Sequence, residues 1–120
     1  MAFEVSLQTV SVPASADLST KQFLFGTINA SGQVAVVGAG LASDGVIALG
    51  PSAQGRPCGL ASFPGQIARV MAGAAFANGA LLEVDANGKA ITQSSGKIVG
   101  KALSAGASGD IIPALLILMR

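Results

Sequence analysis

An all-β fold of short antiparallel strands, closed as a small barrel or packed as a sandwich, is what this sequence predicts, and three observations carry that reading. Gly 16 and Pro 5 punctuate the 120 residues at short intervals, leaving apolar runs of strand length and few stretches where a long helix could form. Several of those runs alternate in polarity with a period of two, as half-buried strands do. Two pairs of runs flank short segments containing Gly32 and Gly88, which is the grammar of a β-hairpin. A chain of this length supports one hydrophobic core, so residues 1–120 are expected to form a single domain.

The first run sets Phe3, Val5, Leu7 and Thr9 against Glu4, Ser6 and Gln8, after which Val10 and Val12 continue in the opposite phase. That slip marks a bulge or the end of a strand, and makes residues 1–12 a candidate arm or edge strand. A polar loop covers Pro13 to Ser19, and strands are expected over Gln22 to Ile28 and Gln33 to Val37, joined by the turn Asn29-Ala30-Ser31-Gly32. The pattern recurs where Leu81 to Val84 and Ala90 to Thr92 flank Asp85-Ala86-Asn87-Gly88-Lys89, which points to a weak internal repeat. A second echo pairs Gly59-Leu60-Ala61 and Gly65-Gln66-Ile67 with Gly100-Lys101-Ala102 and Gly109-Asp110-Ile111. Gln66 to Met71 reads as a strand, although Ile67, Val70, Met71 and Ala74 also fall at helical spacing, and Ala72 to Ala77 leaves room for a short helical turn. The run Ile111 to Met119 is apolar at nearly every position, so as a strand it should be buried on both faces, with Pro113 at its start or on an unpaired edge.

Composition then narrows the function. The chain is 51% hydrophobic and only 11% charged, against about 25% charged in ordinary soluble domains. A surface so poor in charge is expected to be covered in part by partners. The seven basic residues are scattered among six acids, leaving no basic stripe for a phosphate backbone, and all five aromatics are Phe. Nucleic acid is therefore not an expected ligand. The start Met1 to Gln8 lacks the basic lead and apolar run of a signal peptide, so synthesis in a cytosol is expected. The Ile111 to Met119 run is far short of the roughly 20 residues of a membrane-spanning helix.

Chemistry is poorly provided for. With no His, Trp or Tyr, the commonest acid/base group and metal ligand is missing, and neither an enzyme, a cofactor, a metal nor a small-molecule substrate is expected. The lone Cys58 has no partner thiol or histidine and reads as a small buried hydrophobe. Glu83 and Asp85 share an alternation phase beside a turn, where solvated acids are ordinary. Gly38 and Gly40 after a strand resemble part of a dinucleotide fingerprint, but Ser43 stands where the third glycine belongs and no helix follows. Asp85, Asn87 and Gly88 resemble a piece of a calcium loop without its remaining oxygen ligands. Asn29-Ala30-Ser31 is a glycosylation triplet that turn chemistry explains.

Gly59-Leu60-Ala61, Gly65-Gln66-Ile67-Ala68-Arg69-Val70, Ala75-Phe76-Ala77-Asn78-Gly79, Asp85-Ala86-Asn87-Gly88-Lys89, Ile98-Val99-Gly100-Lys101-Ala102-Leu103 and Gly109-Asp110 follow one another in an order that resembles the capsid decoration, or cement, proteins of tailed bacteriophages. The resemblance spans about residues 55 to 119, while Met1 to Gln54 departs from the pattern. It implies a compact β-barrel-like module that forms homotrimers on the outside of the head, bound to the major capsid protein. Two segments are candidate contacts with such partners: the alternating arm Phe3, Val5, Leu7, and the apolar C-terminal run represented by Leu116. Another virion module, from the tail or a head-completion complex, would share these traits. A ligand-binding β-barrel with Phe23, Phe25, Phe63 and Phe76 around a pocket is a further alternative, against which stands their ordinary role in core packing.

Overall fold

The computed structural model describes residues 8–120 and contains ten strands and no helix among them. They are β1 (Val10–Pro13), β2 (Phe25–Ile28), β3 (Val34–Val36), β4 (Gly45–Leu49), β5 (Pro57–Ala61), β6 (Ile67–Met71), β7 (Leu81–Val84), β8 (Ala90–Thr92), β9 (Gly100–Ala102) and β10 (Ile111–Leu116). The strands form two five-stranded antiparallel sheets ordered β1-β5-β4-β2-β3 and β6-β10-β9-β7-β8. The first half of the chain makes one sheet and the second half makes the other, by the same winding.

Each sheet curls until its outer strands meet. Just past β1, Ala14 bridges Val34 in parallel, and just past β6, Ala72 bridges Ala90 in the same way. All four of these residues are fully buried. The first barrel encloses Ala14, Leu18, Val34, Ile47, Cys58 and Leu60. A larger cluster fills the second barrel and takes in Phe25, Val37, Val46 and Ala61 from the first half, so one apolar contact welds the halves. Across the junction Phe25 N–H donates to Gly88 C=O (2.9 Å), Met71 N–H to Phe23 C=O (3.0 Å), and Gly40 N–H to Val84 C=O (2.9 Å).

The repeat extends to individual hydrogen bonds. Ala14 N–H donates to Arg56 C=O (2.9 Å) as Ala72 N–H does to Asp110 C=O (2.7 Å), and Gly55 N–H to Ala14 C=O as Gly109 N–H to Ala72 C=O, both 2.8 Å. The hairpin turns match as well: Asn29 Oδ1 accepts from the N–H groups of Ser31 and Gln33, and Asp85 Oδ1 from those of Asn87 and Lys89. Phe23 N–H donates to Ile47 C=O where Gly79 N–H donates to Ala102 C=O, both 2.8 Å. Phe23 carries the positive φ (71°) of its glycine counterpart (84°), an unfavourable conformation for a bulky L residue that costs of order 1–3 kcal/mol.

Hairpin turns and strand assignments for β3, β6, β7 and β8 follow the sequence expectation. The second sequence echo does not mark the repeat, because Gly59 to Ile67 passes from one sheet to the other while Gly100 to Ile111 is a hairpin within one sheet. The strand expected from Gln22 starts only at Phe25, since Leu24 N–H turns back to Lys21 C=O. No helical turn forms at Ala72 to Ala77, where Gly73 N–H donates to Ala90 C=O and Phe76 exchanges hydrogen bonds with Gly106. Pro113 lies inside β10, a central strand, rather than at an edge or start. Its carbonyl accepts from Leu103 N–H, so its missing donor points to the same side, toward Leu103 just beyond the end of β9, and away from the β6 ladder. β10 is also not buried on both faces: Ile112, Ala114 and Leu116 face the core, and Ile111, Pro113 and Leu115 are exposed or half-buried.

Two glycines hold equivalent close approaches. A Cβ on Gly45 (φ 150°) would collide with the carbonyl oxygen of Ala61, and one on Gly100 would lie 2.8 Å from that of Leu115. Gly45→Ala and Gly100→Ala should each cost about 2 kcal/mol or more by urea denaturation. Gly32→Ala meets no neighbour but keeps the positive φ of 74°, so a loss of about 1 kcal/mol is expected. Equal losses at the three positions would contradict this packing.

Candidate interaction surfaces

The described acids serve the architecture. Asp85 and Asp110 bind turn N–H groups. Asp17 accepts from the hydroxyl and N–H of Ser19, which lower its pKa. Asp44 accepts from Ile28 N–H (2.7 Å) and Thr27 Oγ1 and pairs with Arg120, the one ion pair among the described residues. Burial alone would raise the Asp44 pKa, but these donors outweigh it and the value is lowered. Glu83 is covered, with little of its surface exposed. Its Oε1 accepts from Ser94 N–H (2.5 Å) and Ser94 Oγ (3.0 Å), and that backbone donor leads the causes holding its carboxyl below the ordinary range. Glu83 and Asp85 therefore fasten two separate loops and form no dyad.

Cys58 is fully buried, and burial pushes its thiol pKa up, which keeps it protonated and unreactive. No group of three His, Cys, Asp or Glu side chains among the described residues is placed to hold a metal. A groove of about 260 Å³ lies where the two sheets meet, lined by Gln22, Phe23, Val46, Ala48, Ala61, Ala68 and Arg69. It is smaller than the roughly 300–1,000 Å³ of sites for drug-sized ligands. The four Phe residues considered for a pocket are dispersed: Phe25 and Phe76 are core, Phe63 is exposed, and only Phe23 borders the groove.

The candidate contacts fall differently. Phe3, Val5 and Leu7 lie outside the described residues, which begin where Gln8 N–H donates to Gln66 Oε1 (3.0 Å). The Leu116 side chain is covered by the chain's own core. The outward face of β10 belongs instead to Ile111, Pro113 and Leu115, and the register extends it into a row Ile67–Leu115–Lys101–Leu81 across four strands. Directly paired residues share a face of the sheet. The row is visible only once register is known, because its members are scattered over residues 67 to 115.

The sequence and the fold are both shared with known proteins. The family described as phage cement protein matches residues 9–117. The chain belongs to the phage cement proteins. The match takes in the first half as well as the second, whereas the sequence resemblance stops near residue 55. The head fiber gp8.5 N base of bacteriophage phi29 has a similar structure, with a TM-score of 0.69 over 96% of this chain and 98% of that one. At 14% identity the likeness concerns the fold. No curated protein sequence matches the chain. As a cement protein the chain is a structural component of a phage virion.

The Glu83 clamp gives the cement protein a pH dependence of definite sign. A carboxyl with a folded-state pKa below its ordinary 4.5 contributes stability above that pH, and loses it as pH falls through the lower, folded value. Glu83→Gln should therefore be less stable than the parent at neutral pH and should show a weaker loss of stability on acidification below about pH 4.5. Thermal melts from pH 7 down to pH 2 check this, and parallel curves for the two proteins would rule the clamp out.

Proposed function

We propose that this protein decorates the outer surface of a phage head, where it binds the major capsid protein as a homotrimer and stabilises the assembled lattice. The family match over residues 9–117 carries the reading. The physical traits agree with it: acids committed to turns, a protonated buried thiol, and an outward apolar row on the second sheet. The 120 residues act as one module made in the host cytoplasm. A subunit that binds the assembled shell and not its separated pieces stabilises the shell by mass action. Trimeric symmetry multiplies modest contacts into slow release, because one docked arm holds the others near their sites. Preference for a mature shell over its precursor requires contacts that differ between them.

The arm Phe3, Val5, Leu7 is the proposed route to a neighbour, by adding a strand to a sheet edge. Deleting residues 2–9 should weaken capsid binding, self-association or both, measured by head sedimentation and light scattering. If both quantities stay at their parental values, the arm has no such role. Purified heads lacking the protein should bind it saturably, at a copy number set by the lattice, and should then disrupt at a higher temperature. Binding at one vertex only would instead favour a tail or head-completion component.

A further inference from the structure

The two halves present opposite ends of one contact, and only one copy of that contact is made inside the chain. Phe25 and Val46 of the first sheet are buried against the second half, and Phe25 N–H donates to Gly88 C=O at the tip of the β7–β8 hairpin. The register places Leu81 and Lys101 at the corresponding positions of the second sheet. There Leu81 is 41% exposed, where Phe25 is 0%. Leu81 N–H, the counterpart of the Phe25 donor, makes no backbone hydrogen bond outside the sheet ladders among the described residues. The covering surface is duplicated too. A Cβ on Gly88 would lie 2.5 Å from Val36 Cγ1, while one on its counterpart Gly32 would meet nothing. Val84, beside the covering hairpin, is 1% exposed, and its counterpart Ile28 is 41% exposed.

We infer that a second copy of this chain supplies the missing half: its β2–β3 hairpin, with Ile28 and Gly32, seats on the Leu81–Lys101 face as the β7–β8 hairpin seats on the Phe25–Val46 face. The Gly32 carbonyl of the incoming copy takes the Leu81 N–H. Such a contact joins unlike surfaces, so it propagates head to tail and closes into a ring when the rotation permits. The inference deepens the proposed trimer and rests on that part of the proposed function, not on capsid binding. Two departures make this contact weaker than the internal one. Lys101 replaces Val46 at the centre, and Pro13 replaces Met71, whose N–H donates to Phe23 C=O within the chain. A weaker contact lets subunits be made separately and assemble afterwards.

The test uses two full-length variants, Leu81→Lys and Ile28→Lys, each at an exposed position and each checked for the parental melting curve. Alone, each should raise the dissociation constant for self-association about tenfold or more in sedimentation equilibrium. Mixed in equal amounts, they retain one intact pair of surfaces and should form a one-to-one dimer and nothing larger. Lys101→Val, which restores the residue type of the internal contact, should tighten association. Parental association by either single variant, or no dimer in the mixture, overturns the inference. A parent chain that is monomeric at tens of micromolar yet saturates heads would also overturn it, while leaving the decoration reading intact.

Discussion

Everything in this molecule depends on closing a five-stranded sheet across a span of about twenty residues, which happens at Ala14 against Val34 and again at Ala72 against Ala90. The bridging residues are fully buried, and on one side of each bridge stands an alanine, a side chain small enough for the outer strands to meet. A five-stranded open sheet of this size would expose both edges and most of one face to water. Closure hides the edges near the bridge and gives each half its own interior, so strands of only three to six residues suffice. The price is paid in backbone geometry: Gly45 and Gly100 bring two strands closer than any Cβ permits, and Phe23 adopts a conformation that its counterpart leaves to glycine.

Local parts of this arrangement were legible in the sequence, and non-local ones were not. The two hairpin turns announce themselves because Asn29 and Asp85 serve their own neighbours two and four residues on, where sequence and space coincide. The closing bridges join residues about twenty apart, and nothing near Ala14 signals Val34. The repeat escaped beyond its turns because counterparts share position and not identity: Leu60 answers to Ala114 and Val46 to Lys101. Pro113 misled for the same reason, since the rule against proline in central strands concerns where the missing donor points, and that depends on where β9 happens to end.

The surface followed the same division. Low charge content pointed to association, and the buried Cys58 was readable from its lack of partners. Which apolar residues face outward was not readable along β10, where nearly every position is apolar and the alternation that separates core from surface is silent. Leu116 and Leu115 are the same residue type, yet one is core and the other lies in the open row beside Lys101. Only the cross-strand register separates them.

A repeat within one chain has an asymmetry that neither unit has alone. When two like units pack head to tail, the first loses one of its surfaces and the second loses the other, so the pair ends in two unlike and complementary faces. Here those ends carry different residues from the buried contact they imitate, with Lys101 in place of Val46 and Pro13 in place of Met71. Substituting a charge and a non-donor at the ends, while keeping Val46 and the Met71 donor inside, separates a permanent junction from one that can form and release. In the assembly proposed above, that difference in strength matters more than the strength of either contact, because it lets a subunit exist apart from its neighbours before it joins them.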